Sequence, residues 1–333
     1  MRLLVTGGAG FIGSYLCEKY VMNGDHVICL DNFMNGNLLN IRHLLQYPNF
    51  ELINGDIRNE ELVNKTMIDI DAVFHLAAQI HVDRSVLEPK LTYSINVFGT
   101  QTILEAARKL DIEKVIYAST CEIYGNYEYV PIDEQHPLNC PHPYGTSKIA
   151  ADRMCKSYFH SYGMNILVPR FGNIFGPRQK DAGYGAAIAI FTNRVLHNKP
   201  PLIYGDGLQT RDYTYVKDIV RLYDLLLNTN KKVDDTFNVG SGWENRILDL
   251  ANQIIKIAGK DLEPVHVEPR INELRRLLIE NSRVRELFGW EPTITVEEGL
   301  EQYISWYRTS HMGEITDEIP NIRPKCLEPS FAS

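Results

Sequence analysis

Short apolar runs recur through the first half of the chain, and longer segments of mixed polarity separate them. The runs cover residues 1–6, 26–30, 50–53, 72–76, 115–119 and 166–170. Their length is typical of strands, and the segments between them are long enough for helices. Strands that alternate with helices favour a parallel sheet wound on both faces. The pattern therefore predicts an α/β fold up to about residue 170.

A glycine-rich turn, GGAGFIG at residues 7–13, follows the first run at once. Such a turn lets the backbone approach a pyrophosphate at a helix N-terminus, where free N–H groups and the dipole favour an anion. The glycines are spaced one residue wider at the front than in the usual dinucleotide fingerprint. Asp31 ends the second run, where a carboxylate can accept hydrogen bonds from both ribose hydroxyls and would repel a 2′-phosphate. The sequence therefore predicts NAD, rather than NADP, as the cofactor.

Two further strand ends are expected to contact the same cofactor. Asp56 and Ile57 follow the third run and are placed to meet the adenine. The fourth run ends in Leu76 and continues into Ala77 and Ala78, which are small residues where a cofactor must pass closely. A dinucleotide at the carboxyl ends of parallel strands is typical of a Rossmann-type sheet.

The organisation of the chain changes after residue 171. Residues 172–210 mix glycines and prolines with one predicted helix at 186–196. A helix at 216–227 and a strand at 236–239 are expected to return to the first domain, and helices at 247–258, 282–288 and 296–309 to complete a smaller lobe. We therefore expect a Rossmann-type doubly wound parallel sheet, which binds NAD, in residues 1–171 and 211–245, a smaller C-terminal substrate lobe in 172–210 and 246–310, and an irregular tail in 311–333.

A set of groups suited to alcohol oxidation follows the fifth run. Thr120 ends that run, and Tyr144 and Lys148 lie at the start of the next predicted helix. Residues i and i+4 share a helix face, so Lys148 can hold its ammonium beside the phenol of Tyr144. An adjacent cation favours the phenolate and lowers a pKa that is ordinarily about 10. Tyr144 would then take the proton of a substrate hydroxyl, which Thr120 holds, while the carbon gives up hydride.

Composition excludes several classes of function. The chain has 333 residues, enough for about two domains, and a net charge of −8 at pH 7. Nucleic acid is not expected as a partner, because phosphate-backbone binding needs a basic footprint. No signal peptide or membrane span is expected, because the apolar start is a short strand. The six cysteines show neither CxxC nor metal-ligand spacing, which indicates reduced thiols, no metal site and a cytoplasmic protein.

Together these motifs resemble the extended short-chain dehydrogenase/reductase family, and within it the NAD-dependent nucleotide-sugar epimerases and dehydratases. The resemblance runs from Gly7 to about Trp306. Further motifs carry it: HLAA at 75–78, NVFGT at 96–100, RFGN at 170–173, GPR at 176–178, GDG at 205–207, RDY at 211–213 and NVG at 238–240. The candidate cofactor-binding residues are then Gly7, Gly10, Phe11, Ile12, Gly13, Asp31, Asn32, Asp56, Ile57, Leu76, Ala77, Ala78, Asn96, Tyr144 and Lys148.

The resemblance implies a nucleotide-sugar substrate between the two lobes. Asn173 matches the position that contacts the phosphate of the nucleotide sugar. Arg211 and Arg275 are the expected diphosphate cations, since the fork of arginine suits phosphate. Arg84 lies in a loop that resembles the dehydratase branch and is expected to approach the hexose. The alternatives are an ion pair between Arg84 and Asp83 and a solvated helix-face charge at Arg275.

A homodimer is also implied by the resemblance. Relatives pair through two helices, which are expected here at residues 92–110 and 144–161. The apolar positions of these helices could equally face their own sheet.

The two residues after Thr120 separate the activities of the family. Hexose 4,6-dehydratases carry Asp-Glu there; the Glu removes the proton at carbon 5 and the Asp protonates the leaving 6-hydroxyl. In this chain Glu122 occupies the position of the carbon-5 base. Cys121 is the expected acid, because a thiol with a pKa near ~8.5 is mostly protonated at pH 7. The Ser-Thr-Cys-Glu pattern is similar to that of the UDP-N-acetylglucosamine 5,6-dehydratase of tunicamycin biosynthesis.

Other interpretations stay open at this point. Cys121 could only fill space, since free cysteine is among the most buried residue types, and Glu122 could bind a sugar hydroxyl, which leaves a UDP-sugar 4-epimerase. UDP-glucuronate decarboxylases carry Ser-Glu at this place and lose carbon dioxide. A regulator that only binds NAD would not need Thr120, Tyr144 and Lys148. The sequence therefore favours an enzyme, with a nucleotide-sugar dehydratase, on a UDP-hexose, as the expected activity.

Overall fold

Eight parallel strands form the central sheet of the computed structural model, which describes residues 1–180, 187–233, 236–269 and 274–311. The strands of the described residues are β1 (Arg2–Thr6), β2 (His26–Asp31), β3 (Phe50–Asn54), β4 (Ala72–His75), β5 (Lys114–Tyr117), β6 (Ser119–Thr120), β7 (Ile166–Phe171), β8 (Asn173–Phe175), β9 (Leu202–Tyr204), β10 (Thr210–Arg211), β11 (Tyr213–Tyr215), β12 (Thr236–Val239), β13 (Asn245–Arg246) and β14 (Val265–Val267).

The helices cover both faces of this sheet and build the second lobe. Those of the described residues are α1 (Phe11–Met22), α2 (Glu60–Thr66), α3 (Val82–Leu87), α4 (Pro89–Tyr93), α5 (Thr100–Lys109), α6 (Pro143–Tyr162), α7 (Ala187–Leu196), α8 (Val216–Asn228), α9 (Ile247–Ala258), α10 (Ser282–Phe288) and α11 (Val296–His311). A π-helical turn, Ser94–Gly99, joins α4 to α5. Within the described ranges, no helix is long and apolar enough to cross a bilayer.

The order of strands in the sheet is β12-β7-β5-β4-β1-β2-β3, with β6 paired to β7. Every ladder of this sheet is parallel. The chain starts in the middle, winds outward to β3, and then returns to build the other half, which is the doubly wound topology. The predicted fold class is confirmed, and each predicted apolar run became a strand of this sheet.

One predicted strand differs in detail. The run at 115–119 is interrupted at Ala118, so that β5 ends at Tyr117 and β6 begins at Ser119. The Ala118 N–H donates to the carbonyl of His75, while Ser119 and Thr120 pair with β7. The chain thus turns from β4 toward β7, and this places Thr120 at the carboxyl edge of the sheet.

Alternate residues of each strand face opposite sides of the sheet and enter different cores. Leu3 and Val5 of β1 pack with α1 and α8, whereas Leu4 packs with α2, α5 and α6. Each buried leucine or valine stabilises the fold by about 1.5–3 kcal/mol relative to an exposed one. Because alternate residues pack against helices on both faces, the strands are held in place, and so are the strand ends that form the site.

The C-terminal segments form a third apolar cluster beside the sheet. Residues of α7, α9 and α11, such as Phe191, Ile254 and Tyr303, pack together there. The boundaries expected for the two domains stay a prediction. Residues 312–333, which include most of the expected tail and Cys326, lie outside the described residues, as does Ala186 of the predicted helix at 186–196.

Some of the apolar residues on the two helices expected at a dimer interface pack against their own sheet, whereas Ala150 of α6 is exposed. Ile103, Ala106 and Ala107 of α5 are fully buried in the core that contains β4 and β5. Helix α5 also binds α6 directly, since the Tyr158 hydroxyl donates to Glu105 at 2.6 Å. The homodimer stays a prediction.

Candidate active site

The glycine-rich turn runs from β1 into α1 with almost no room for side chains. Gly7 has φ +71°, and a Cβ added there would lie 2.8 Å from the backbone nitrogen of Ala77. A Cβ at Gly13 would lie 2.3 Å from the carbonyl oxygen of Gly7. Gly10 caps α1 without a side-chain hydrogen bond, so the first N–H groups of this 12-residue helix are left for a ligand. The turn is shaped for close approach of a diphosphate to backbone.

Asp31 is fixed at the end of β2 by backbone donors. Its carboxylate accepts the N–H of Ala9 at 2.9 Å and that of Phe33 at 2.8 Å. Burial raises the pKa of Asp31, and these two hydrogen bonds oppose the rise. The carboxylate is thus oriented before any ligand binds, which suits recognition of a ribose diol.

Asp56 is held in a similar way at the neighbouring strand end. Arg58 donates two side-chain hydrogen bonds to it, and Asn32 donates another at 2.9 Å. The hydrogen bond from Arg58 is the main reason that the pKa of Asp56 falls to about 2. Asp56 is therefore a fixed acceptor beside the position expected for the adenine.

These groups line one cavity of about 810 Å³ at the carboxyl edge of the sheet. This volume is typical of ligand pockets. Of the expected cofactor-binding residues, those that line the cavity are Gly7, Gly10, Phe11, Ile12, Gly13, Asp31, Asn32, Asp56, Ile57, Leu76, Ala77, Ala78, Tyr144 and Lys148. A crowded glycine turn, a preoriented carboxylate and an extended cavity together fit NAD.

Asn96 does not line this cavity, contrary to expectation. It is buried in the π-helical turn, where its amide exchanges hydrogen bonds with the backbone of Gln79 and donates to the Ser147 hydroxyl at 2.9 Å. Both ends of the side chain are therefore used within the protein. Asn96 braces the loop after β4 against α6, and so supports the cavity wall without facing a ligand.

Tyr144, Lys148 and Thr120 meet at the inner end of the cavity. Pro143 starts α6 and brings Tyr144 into its first turn, where it is buried and hydrogen-bonded to Thr120. Burial raises the pKa of Tyr144, the charge of Glu122 raises it further, and the hydrogen bond with Thr120 lowers it. The phenol is thus a proton donor in this arrangement, and the expected lowering by Lys148 is absent.

The reason is the position of the lysine ammonium. Lys148 donates to the carbonyl of Ala118 at 2.6 Å and lies 4.3 Å from the ring centroid of Tyr117. Burial lowers the pKa of Lys148 to about 8, against the opposing charges of Cys155 and Asp152. Lys148 therefore brings a positive charge to the cavity only below about pH 8.

Cys121 points away from this cavity. Its thiol is buried among Ile123, Ile132 and Ile279 and donates to the carbonyl of Arg170 at 3.3 Å. Burial raises the pKa of the thiol well above its ordinary value, and the charge of Asp212 adds to this. The expectation that Cys121 faces a substrate is not met, because β6 turns it toward the core behind the strand.

Glu122, the next residue, has about a third of its side chain exposed. It lies in a 3-10 turn, Cys121–Tyr124, whose first N–H groups are capped by Thr120, with the Glu122 N–H donating to the Thr120 hydroxyl at 3.2 Å. Its carboxylate is 3.7 Å from the Nε2 atom of His142. Glu122 thus stands beside Tyr144 with one neighbouring imidazole.

A family model described as GDP-mannose 4,6 dehydratase matches residues 4–303. The chain is 38% identical to a putative UDP-glucose 4-epimerase of Methanocaldococcus jannaschii, over 93% of this chain and 99% of the relative. The chain belongs to the extended short-chain dehydrogenase/reductase family of nucleotide-sugar epimerases and dehydratases. It is therefore an enzyme of an NAD-dependent family.

Two solved structures show how closely this fold is shared. The UDP-glucose 4-epimerase of Thermotoga maritima, solved with UDP-glucose, has a TM-score of 0.87 and 34% identity over 93% of this chain and 99% of its own. A dTDP-glucose 4,6-dehydratase of Streptomyces venezuelae, solved with NAD bound, has a TM-score of 0.85 and 30% identity over 93% of this chain and 98% of its own. Both reactions occur among relatives of similar likeness, so the choice between them depends on the site.

The residues expected to bind the nucleotide sugar lie outside this cavity. Asn173 donates to the carbonyl of Asp212 at 3.0 Å. Arg211 donates to the carbonyls of Thr210 and Leu274, each at 2.8 Å. Arg275 is exposed and forms an ion pair with Asp206 at 2.7 Å. Their roles toward a substrate stay predictions.

Arg84 differs from its expected placement. It lies on the helix α3 rather than in a loop, and its ion-pair partner is Glu88, one turn later, rather than Asp83. Residues four apart share a helix face, whereas neighbours in sequence point apart, which explains the choice of partner.

Several residues that line the cavity were not predicted. The loop after Asp31 contributes Asn35 and Asn40, and the segment after β8 contributes Arg178 and Lys180. Asn35 donates to the carbonyl of Ala78 at 3.0 Å and thereby ties that loop to the opposite wall. The asparagines and glycines at 32–40 and the basic GPRQK segment are the signals that could have indicated them.

Proposed function

We propose that this enzyme dehydrates the hexose of a nucleotide sugar, with Glu122 as the base at carbon 5. The observation that carries the proposal is the partly exposed carboxylate beside Tyr144, close enough for its charge to raise the pKa of that phenol. Oxidation at carbon 4 needs only one base. A second ionisable group at the same place is useful to an enzyme that also breaks a neighbouring C–H bond.

The residues of the cavity, together with Glu122 beside Tyr144, would supply the steps in order. The glycine turn and Asp31 would hold NAD, which would provide the hydride acceptor for carbon 4 of the sugar. Thr120 and Tyr144 would hold the 4-hydroxyl. Burial and the charge of Glu122 keep the phenol of Tyr144 protonated in this arrangement, so it must first lose its own proton to solvent, and the phenolate would then take the proton of the 4-hydroxyl. The resulting ketone acidifies carbon 5, whose proton passes to Glu122. The C5–H and C6–O bonds then break, the C5=C6 bond forms, and the 6-hydroxyl leaves as water. The hydride removed from carbon 4 finally returns to the sugar, together with the proton that Tyr144 took, so that the product is lighter by one water only.

The proton that the leaving hydroxyl needs comes from Glu122 itself in this scheme. Having taken the proton from carbon 5, the carboxyl is an acid on the same side of the sugar. Cys121 is a poorer source, because its thiol proton is committed to the carbonyl of Arg170 and burial raises its pKa. This revises the role of Cys121 from acid to packing residue.

We further propose a UDP-hexose as the substrate. The relatives with UDP-sugar activities support the nucleotide. Arg211 and Asn173, which donate to main-chain carbonyls, stay the candidates for binding its diphosphate.

A 4-epimerase is the second candidate, and one observation favours it. Because the Cys121 thiol faces an apolar cluster, no acid other than Glu122 stands after Thr120. A 4-epimerase needs none, and the relatives named above include two such enzymes. A decarboxylase is the third candidate, because the chain is 32% identical to UDP-glucuronic acid decarboxylase 1 of Xenopus tropicalis over 97% of this chain and 76% of the relative.

The variant Glu122→Gln tests the proposal. It keeps the size and the hydrogen-bonding reach of the side chain but removes the base. We expect the rate of elimination to fall by ~10²–10⁴-fold, while oxidation at carbon 4, which depends on Tyr144, continues. A ketone and the reduced cofactor should then accumulate, which is measured as a rise in absorbance at 340 nm. Tyr144→Phe should lose both steps.

Cys121→Ser is the matched control, since it changes the neighbouring side chain by one atom. We expect it to eliminate water at nearly the rate of the wild type. If Glu122→Gln retains full activity, and the product is the carbon-4 epimer at unchanged mass, the dehydratase proposal is rejected in favour of the epimerase.

A further inference from the structure

His142 forms a cluster with Glu122, Cys140 and Tyr144 at the start of α6. Its ring lies parallel to that of Tyr144, with an interplanar angle of 5° and a centroid separation of 6.1 Å. Its Nε2 atom is 3.3 Å from the thiol of Cys140 and 3.7 Å from the carboxylate of Glu122. These three residues are the titratable groups that face the imidazole from the elements packed around it.

The other ring nitrogen of His142 caps the helix. Nδ1 accepts the backbone N–H of Gly145 at 3.1 Å, so His142 is the N-cap residue of α6. A nitrogen that accepts a hydrogen bond carries no proton, and in a neutral imidazole the proton is then on Nε2. In the imidazolium both nitrogens carry protons. In either charge state, therefore, Nε2–H is a donor that faces Glu122 and Cys140.

Of these two acceptors the carboxylate is the stronger, because hydrogen bonds to ionised groups are about twice as strong as neutral ones. The distance of 3.7 Å is longer than a hydrogen bond. Catalytic hydrogen bonds are often long in ligand-free structures and shorten when substrate binds. The side chain of Glu122 is partly exposed and His142 is tied to the backbone, so Glu122 is the partner that moves.

We propose that His142 is a positioning residue, which donates from Nε2 to Glu122 and holds this carboxylate turned toward the carbon whose proton it removes. The inference rests on the proposed dehydration, since an epimerase has no use for a base at carbon 5. His142 needs no contact with the sugar for this role. It acts through Glu122, as the partners of metal-binding histidines act through the ligand that they orient.

The charges around His142 agree with this role. Burial lowers the pKa of His142, but its interactions with Cys140 and with the nearby carboxylate of Glu122 outweigh burial and raise it to about 9. The hydrogen bond from the N–H of Gly145 opposes this rise in pKa, because Nδ1 has no lone pair to accept that hydrogen bond once it is protonated. Below about pH 9 the ring therefore offers a positively charged donor to Glu122.

Two substitutions separate the cap from the donor. In His142→Asn the short side chain keeps an oxygen for the N–H of Gly145 but does not reach Glu122. In His142→Gln the amide nitrogen takes the place of Nε2, so the donor is kept and the cap is lost. Each variant thus removes one of the two hydrogen bonds.

Elimination and oxidation are measured separately with UDP-N-acetylglucosamine and other UDP-hexoses across pH, and melting temperatures are recorded. We expect His142→Asn to eliminate water about 10–100-fold more slowly, with a normal melting temperature and unchanged oxidation at carbon 4. His142→Gln should melt at a lower temperature and yet eliminate water as fast as the wild type.

The inference is overturned if His142→Asn eliminates water at the wild-type rate, or if the losses in both variants follow their melting temperatures. The wild type distinguishes this failure from that of the proposed function. If the wild type releases water while His142→Asn matches it, only the role of His142 is wrong. If the wild type releases no water from any of these substrates, the dehydratase proposal fails and the role of His142 fails with it.

Discussion

Replacing Gly13 by alanine should lower the affinity of this enzyme for NAD more than its folding stability. The added Cβ would lie 2.3 Å from the carbonyl oxygen of Gly7 and 2.8 Å from the Cα of Gly8. Ordinary contacts of a Cβ start at 3.4 Å. All the crowded atoms belong to the backbone, so relief requires the turn and the start of α1 to separate by about 1 Å, a displacement large enough to cost ~10²-fold in function.

The turn that must move is the one that meets the diphosphate. We expect the affinity for NAD to fall about 100-fold, which equals about 2.8 kcal/mol. The strain of overpacking should also cost about 1–3 kcal/mol of folding stability. The assay is calorimetric titration of cofactor-free protein with NAD, together with urea unfolding of the same samples.

Gly163→Ala is the matched control. Gly163 ends α6 with φ +68° and has no atom within 4 Å of the added Cβ. Its left-handed backbone should cost about 1–2 kcal/mol with alanine. Both variants are then destabilised to a similar extent, and only Gly13→Ala should lose affinity for NAD. Equal affinity in the two variants would refute the close approach of the cofactor to this turn.

Three further predictions concern the surroundings of the site. Burial lowers the pKa of Lys148 to about 8, so its ammonium loses its proton as pH rises through that value, and kcat/KM should fall above about pH 8. In Lys148→Arg the side chain stays charged, so this fall in kcat/KM should begin at a higher pH. An unchanged pH profile in this variant would show that the charge of the lysine has no role. Asp152 and Arg170 form a buried ion pair at 2.9 Å. Asp152→Asn should therefore cost about 3–5 kcal/mol of stability to urea, and the double variant with Arg170→Met should lose less than the sum of the two singles; additive losses would show that the pair is not coupled. The expected homodimer should give twice the chain mass by light scattering at micromolar concentration, and the mass of a single chain would reject it.

The fold and the cofactor end of the site followed from local patterns. Apolar runs, the glycine turn and Asp31 are each read from a few consecutive residues, and a parallel sheet brings the carboxyl ends of its strands to one edge without further information. This is why the glycines, Asp31 and Asp56 all line the cavity. The interruption of the strand before Thr120 changed neither the predicted fold nor the predicted cofactor-binding residues.

Side chains at the catalytic end were harder to predict because their direction depends on tertiary contacts. Neither Cys121 nor Glu122 lines the cavity. The thiol of Cys121 is buried in an apolar cluster, whereas Glu122 is partly exposed beside it. Lys148 was expected to act on Tyr144, yet the carbonyl of Ala118 is its partner. No short pattern in the sequence encodes such a choice.

The roles of Asn96 and His142 could not be predicted from the sequence, for two different reasons. Asn96 belongs to a motif of the family, and its side chain proved to bond Gln79 and Ser147, which are distant in sequence. His142 left a local signal, since it stands directly before a proline that opens a helix and so occupies the N-cap position. Caps are usually Ser, Thr, Asp or Asn, and for that reason a histidine there was not predicted.

The mass of the product released by the wild-type enzyme tests the central claim most directly. The purified protein is incubated with UDP-N-acetylglucosamine, and then with other UDP-hexoses, without added reductant, and each product is analysed by mass spectrometry. With Glu122 beside Tyr144 as the base at carbon 5, we predict a sugar nucleotide lighter by one water. A product of unchanged mass with inverted carbon 4, or one that has lost carbon dioxide from a UDP-glucuronate substrate, would contradict the dehydration.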